Sequence, residues 1–389
     1  MSVNCPVCSS ESVEIVLEVP SIPVFCNVQY ESQAEAVDQP VGDMSLSVCR
    51  ECSHFFNSSF DESLLKYGQS YENSLHFSPT FGYFAKDVAS RLVEQHGLRG
   101  KRVVDIGCGK GDFLSLICEL GENNGYGFDQ SYEEGRVQIP TKGSVQYFRE
   151  HYGPGHEGIE PSLVTCRHVL EHIPEPPQFL TILQETLGNA RDCSVYFEVP
   201  NALYTIRDFG IWDLIYEHCQ YFTEDSLRTL FEQSGFSVGG TYESFGGQFL
   251  GLDGRVHSEQ SADTANEARG ISDIGELARS FKASFDRLVG TWSSTLRELD
   301  GPVVIWGGGS KGVTFLNMIE CGDKVVGVVD INPHKQGMYV TNTGHEIIAP
   351  EELARIAPSH VLVMNPLYET EIKKMIASMD VDAKTCLVN

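Results

Sequence analysis

The sequence predicts an α/β chain in three parts. Two observations carry the α/β reading: a strand, a glycine turn and a helix follow one another at 103–114, and the same succession returns from Val303. A third observation sets off the N-terminal end, where two C-x-x-C pairs stand in a region with little periodicity. A polar, small-residue stretch at 257–270 reads as a linker. The expected divisions are therefore 1–65, 66–258 and 271–389.

Residues 1 to about 65 read as short strands and loops, interrupted by Pro20, Pro23 and Pro40. Within them stand Cys5-Pro6-Val7-Cys8 and Cys49-Arg50-Glu51-Cys52. Two such knuckles can bring four thiolates to a tetrahedral Zn²⁺ at about 2.3 Å, and a site filled by four sulfurs is closed and structural. The 40 residues between the pairs would form a folded excursion. A redox role for one pair, or unpaired surface cysteines, are the alternatives. The other eight of the 12 cysteines are scattered, several in apolar runs where Cys behaves as a small hydrophobe. No basic segment followed by an apolar one opens the chain, so a soluble, cytoplasmic protein of a reducing compartment is expected. An aromatic, polar stretch (Tyr67, Tyr71, His76, Phe77, Phe81, Tyr83) then leads into a helical pattern that ends near Gly97.

Strands are expected at 102–106, 125–129, 162–167 and 194–199. The first delivers Asp105, Gly107, Cys108, Gly109 and Gly111, whose glycines let a ligand approach the backbone. The second ends in Asp129, 18 residues after Gly111, where an acid can bind ribose hydroxyls. The residue three beyond Gly109 is Asp112 rather than glycine. This pattern resembles the class I S-adenosylmethionine (SAM) methyltransferases more than dinucleotide enzymes. The third strand runs into Arg167-His168-Val169-Leu170-Glu171-His172, at the strand end where open α/β sheets bind ligands. There Arg167 and His168 would lie near the cofactor, and His172 would either act in catalysis or start the next helix.

The segment 212–222 follows the fourth strand and holds Tyr216, Glu217, His218 and Tyr221. A carboxylate beside an imidazole, flanked by phenols, has the parts of a general base with its partners; a packed aromatic loop is the plainer reading. A helix at 223–234 and a hairpin of 236–243 with 248–256 close this part. After the linker, apolar residues three or four apart from Ile271 to Leu299 predict one long amphipathic helix. The second glycine turn then reads Gly307-x-Gly309-x-x-Gly312, with Asp330 ending the next strand 18 residues on. Alone it is a dinucleotide fingerprint. Behind a SAM site, Gly307, Gly309, Lys311 and Asp330 would instead hold the diphosphate of a nucleotide-bearing substrate, unless the unit binds nothing.

The 389 residues are 41% hydrophobic and 21% charged, enough to bury sizeable cores. A net charge of −26 argues against a nucleic-acid polymer as partner. No apolar run nears the ~18 residues of a membrane span.

Taken in order, the motifs resemble those of zinc-containing sugar C-methyltransferases that act on nucleotide-linked keto-deoxysugars. The resemblance spans nearly the whole chain. Its specific parts are the two cysteine pairs, Asp105 to Gly111, the Glu217-His218-x-x-Tyr221-Phe222 core, and Val329-Asp330 with Lys335-Gln336-Gly337. It implies a class I (Rossmann-like) SAM methyltransferase domain between a small four-cysteine zinc domain and a C-terminal Rossmann-like substrate-binding domain. It implies His218 as base with Glu217 beside it, and Tyr71, with His76 in the same segment, as substrate contacts. It also implies a nucleotide-linked small molecule as acceptor, methylated at a carbon through an enolate whose oxygen Tyr216, Tyr221 or His172 would steady. The chain departs from that family at Tyr216, where a histidine is usual, and in the 167–172 loop, as a sister subgroup would. O- or N-methylation on the same scaffold, an NAD-dependent or bifunctional enzyme, and a non-catalytic binding module are the rival expectations.

Overall fold

Residues 13–57 do not break into short strands. In the computed structural model, which describes residues 3–65, 71–188, 190, 192–256, 271, 273–320 and 322–388, they form a long hairpin of β1 (Val13–Pro23) and β2 (Val41–Cys49), then β3 (Phe55–Asn57). Pro20 and Pro23 are tolerated because β1 is an edge strand, where a missing N–H breaks no ladder. Val13 pairs with Cys49, so the residues just before β1 meet the end of β2. The expected linker at 257–270, and Tyr67, lie outside the described residues.

The middle sheet has seven strands: β4 (Arg102–Ile106), β5 (Asn124–Phe128), β6 (Ser144–Phe148), β7 (Leu163–Arg167), β8 (Ser194–Pro200), then β10 (Phe236–Ser244) and β11 (Phe249–Val256). Their order is β10-β11-β8-β7-β4-β5-β6. The first five are parallel, and β10–β11 is the expected antiparallel hairpin, laid against β8. The order turns back between β4 and β7, which opens a crevice at their C-terminal ends. The polar edge strand β6 had no clear signature in sequence, since Ser144 and Gln146 are exposed and its other residues half-buried.

β9 (Gln220–Tyr221) leaves this part of the chain and pairs with β3, Phe55 opposite Tyr221. The N-terminal sheet is thus completed by the segment that follows β8, in the order β1-β2-β3-β9.

The last sheet is fully parallel, with the order β14-β13-β12-β15-β16. Its strands are β12 (Val303–Trp306), β13 (Val325–Val329), β14 (Ile347–Ile348), β15 (His360–Val363) and β16 (Lys384–Leu387). The long helix Ile274–Glu298 buries Ile274, Ala278, Phe281, Phe285 and Leu296. These join one apolar cluster with Val16, Met44 and Leu46 of the first sheet, Trp212, Ile305 of the last sheet, and Phe315 of the helix after β12. Each large side chain buried there contributes about 1.5–3 kcal/mol, so the cluster binds first and third parts firmly. Among the described residues no helix is long and apolar enough to cross a membrane.

Candidate active site

Both glycine turns face a single cavity of about 360 Å³, lined from the ends of β4, β7 and β12. On the β4 side Gly107 has φ +66°, and Val169 Cγ2 lies 2.1 Å from where a Cβ would stand, so only glycine fits. Gly109, at φ +55°, has open space on that side, a cradle for a ligand's approach. Asp105 lines the wall, accepts a 2.6 Å hydrogen bond from the Thr165 hydroxyl, and is pushed up to about 6 by burial. Cys108 also lines it, its thiol raised by burial and therefore protonated. Asp129 is not on the cavity wall. Its Oδ2 accepts from the Gly109 N–H at 2.8 Å and its Oδ1 from the Ser131 N–H at 2.6 Å, which fixes the turn.

The second turn repeats this construction. Asp330 Oδ2 accepts from the Gly308 N–H at 2.9 Å, and its Oδ1 from the Asn332 N–H at 2.8 Å. Gly312 is needed because a Cβ there would meet the Gly307 carbonyl oxygen at 2.0 Å. Gly307, Gly309, Lys311 and Asp330 all line the cavity. Lys311 pairs with Asp213. Lys335, 4% exposed, reaches the wall with two neutral partners, the Gly308 carbonyl at 3.3 Å and Asn27 Oδ1 at 3.5 Å.

Between the turns, at the end of β7, stands a charged cluster. Arg167 lies over the Phe113 ring at 4.2 Å and gives two hydrogen bonds, at 2.6 and 3.0 Å, to Glu198 Oε1. Glu198 is fully buried; burial works against its charge, but Arg167 and His168 hold it down to about 2. His168 sits at φ +55°, with Nε2 3.1 Å from Glu198 Oε1 and Nδ1 3.7 Å from Glu171 Oε1. Burial opposes its charge, yet the two carboxylates push it up to about 9. His172 donates from Nδ1 to the Glu217 carbonyl at 2.8 Å, so its Nε2 carries the lone pair when the ring is neutral. His218 stands edge-on to His172, ring centres 4.8 Å apart. Burial, then His172, His168 and Lys311, drive His218 well below the ordinary range, so it rests as neutral imidazole. Both rings line the cavity, as do Tyr71 and His76. Burial lowers His76 as well, against the pull of Asp112.

Three of the expected catalytic side chains do not reach the cavity. Tyr216, 1% exposed, packs on Phe60 and accepts from the Asp61 N–H at 2.8 Å. Tyr221, 2% exposed, closes its own loop by accepting from the Ile215 N–H at 3.1 Å and donating to the Ile215 carbonyl at 3.0 Å. The Glu217 carboxylate turns the other way from His218. It accepts from the Cys26 N–H at 2.8 Å, interacts with the Tyr71 hydroxyl, and is raised by burial. The reason is shared: pairing of β9 with β3 pulls these side chains into the N-terminal core. Of the phenols named from sequence that are among the described residues, Tyr71 alone is on the wall.

Glu171 and Glu198 carry much of the cluster's charge and were not singled out from sequence. An acid inside the apolar run Ser194–Pro200 was a readable signal for Glu198. For Glu171 the signal was its place three residues after His168, on one turn.

Away from the cavity, the four cysteines meet. Cys5 and Cys52 sulfurs are 3.6 Å apart, Cys8 and Cys49 sulfurs 3.5 Å, and all four lie within 4.8 Å of one another. A tetrahedron with ~2.3 Å bonds would have edges of about 3.8 Å, close to these. The two knuckles are alike: Ser9 and Ser53 follow at φ +61° and +58°, and each N–H returns to the carbonyl of its first cysteine, at 2.9 and 3.0 Å.

Residues 79–239 match the family model of a methyltransferase domain, and residues 257–386 that of a C-methyltransferase C-terminal domain. The chain is a SAM-dependent methyltransferase with a C-methyltransferase C-terminal domain. The methyltransferase is 25% identical to the C-methyltransferase NovU of Streptomyces niveus over 404 residues, 95% of this chain and 91% of that one. It is 37% identical to a ubiquinone biosynthesis O-methyltransferase of Cupriavidus pinatubonensis over 86 residues only, 21% of this chain and 34% of that enzyme. Among solved structures, the magnesium protoporphyrin IX methyltransferase of Synechocystis PCC 6803 with bound SAH matches at a TM-score of 0.35 and 17% identity, over 46% of this chain and 84% of that one.

Proposed function

We propose that this methyltransferase adds its methyl group to a carbon beside the ketone of a nucleotide-linked keto-deoxysugar, through an enolate. The observation that carries the reading is one cavity bounded by two glycine turns, with His172 and His218 on its wall between them. The β4 turn, with Asp105 and Gly109 on the wall and Asp129 behind it, holds SAM. SAM supplies an electrophilic methyl, so the protein's task is to make and orient a nucleophile. His218 takes the proton from the carbon next to the ketone at Nε2. The C–H electron pair becomes the enolate, and Tyr71 is the phenol on the wall that can donate to its oxygen once its hydroxyl turns from the Glu217 carboxylate. The β12 turn takes the nucleotide end, with Lys335 as the buried cation beside a diphosphate.

Mass spectrometry of the protein with SAM and a panel of nucleotide-linked ketosugars should find one acceptor that gains a single methyl on carbon. With that acceptor, His218→Gln should lower turnover by ~10²–10⁴-fold and abolish solvent-deuterium exchange at the acidic carbon. Exchange that persists in His218→Gln overturns the role of His218; methyl gain on oxygen or nitrogen overturns the enolate.

The paired knuckles also support one structural zinc on Cys5, Cys8, Cys49 and Cys52.

A further inference from the structure

We propose that Glu171 is the positioning residue of the proton-removal step: its carboxylate receives the charge of the imidazolium formed when His218 takes the proton. This rests on the reading of His218 as the base. Sequence adjacency points to Glu217 for that part, but the Glu217 carboxylate is engaged with the Cys26 N–H and Tyr71 and does not reach the cavity. Glu171 arrives from a different element, the turn after β7, and lines the cavity beside His168, His172 and His218.

Three features single it out. The side chain is 1% exposed, and neither oxygen has a hydrogen-bond partner. A buried carboxylate without a hydrogen-bond donor is costly, and the His168 ring at 3.7 Å offsets that cost only from beyond hydrogen-bond distance. Its Oε1 lies 4.0 Å from His218 Nε2 and 3.7 Å from His168 Nδ1. His168 already bonds Glu198 through its other nitrogen, at 3.1 Å. His218 has no such commitment: its Nδ1 is buried without a partner, and no carboxylate lies nearer its Nε2 than Glu171 among the described residues.

The charge state of the pair depends on the groups that face it. Glu171 is approached by His168, His172, His218 and the thiols of Cys166 and Cys219. His218 is approached by His172, Tyr221, His168 and Lys311. Of these, Glu171 is the group in reach that favours a charged His218. In the resting state His218 is neutral and the 4.0 Å gap is longer than a hydrogen bond. When the substrate C–H bond breaks, its proton moves to Nε2 and its electron pair stays on the acceptor. Glu171 Oε1, 4.0 Å from Nε2, then offsets the imidazolium charge as a neighbouring anion, without a hydrogen bond being required.

The test is a pH titration of ¹³C-histidine resonances in the full-length protein saturated with S-adenosylhomocysteine, His218 being assigned by its loss in His218→Gln. Glu171→Gln should lower the proton affinity of His218 about tenfold or more, as removal of an ionic neighbour within ~4–6 Å does. Glu171→Asp should restore part of it, and it keeps the test available if the glutamine variant folds poorly. Affinity for S-adenosylhomocysteine should stay within twofold in both. A His218 titration unmoved in Glu171→Gln, or moved equally in Glu171→Asp, overturns the role of Glu171 and leaves His218 as base. Deuterium exchange retained in His218→Gln overturns both.

Discussion

At the scale of single residues, the cluster after β7 makes a prediction about stability. His168 has an ordinary pKa of 6.5 and is pushed up to about 9 in the fold, burial being outweighed by Glu171 and Glu198. A group raised on folding stabilises most below its unfolded pKa, and that stabilisation is lost as pH rises through the folded value. The His168 contribution should therefore be complete below about pH 6.5 and gone above about pH 9. Thermal unfolding of wild type and His168→Gln across this range reads it directly. The gap in Tm should be widest near pH 6 and should close toward pH 10; a gap independent of pH would contradict the ion pairs. His168 also shows what strain is doing at this site. A histidine at φ +55° is uncommon, and here the backbone turn puts one imidazole against two acids, Glu198 of β8 and Glu171 of the turn after β7.

At the scale of elements, the segment from Trp212 to Phe222 decides where the chemistry can sit. Tyr221 holds both backbone groups of Ile215, so Tyr221→Phe leaves the buried Ile215 N–H without a partner, while the Ile215 carbonyl keeps the His218 N–H at 3.2 Å. Such a loss costs about 1–3 kcal/mol. Denaturant titration should show that loss, while kcat per folded molecule stays within a few-fold. A hundredfold fall in kcat at unchanged stability would return Tyr221 to the catalytic set. This segment also marks the limit of what local sequence conveys. The turn from Asp105 to Gly111 and its copy at Gly307 were legible because positive φ and close backbone approach restrict those positions to glycine within a few residues. The hairpin of β10 and β11 was legible for the same reason, its pairing being local. The fate of Tyr216, Glu217 and Tyr221 was not, because it depends on Phe55 pairing with Tyr221 across 166 residues. Likewise Glu171 looked like part of a loop until β7 and the 212–222 segment brought it to His218.

At the scale of the whole molecule, the N-terminal sheet is a support for the site and not a separate attachment. Cys49 ends β2, β3 comes after it, and β3 pairs with β9, which lies two residues beyond His218. The β4 turn stands in another sheet and, among the described residues, has no strand pairing with this one; its link to the cysteines is the apolar cluster they share with Val104 and Ile106. Loss of the proposed zinc should therefore act unevenly. Metal analysis should find one zinc per chain, and a strong chelator or Cys49→Ser should lower Tm by loosening both knuckles. Before global unfolding, the effect should spread along β3 to β9 and reduce turnover through His218. Binding of S-adenosylhomocysteine at the β4 turn should persist at nearly its original affinity over the same interval. The two readouts, calorimetry for the nucleoside and deuterium exchange for the base, separate this from simple denaturation, which removes both together. Full zinc occupancy in a Cys5→Ser, Cys8→Ser double variant would reject the four-cysteine site. Equal loss of both readouts would reject the path from β2 to His218.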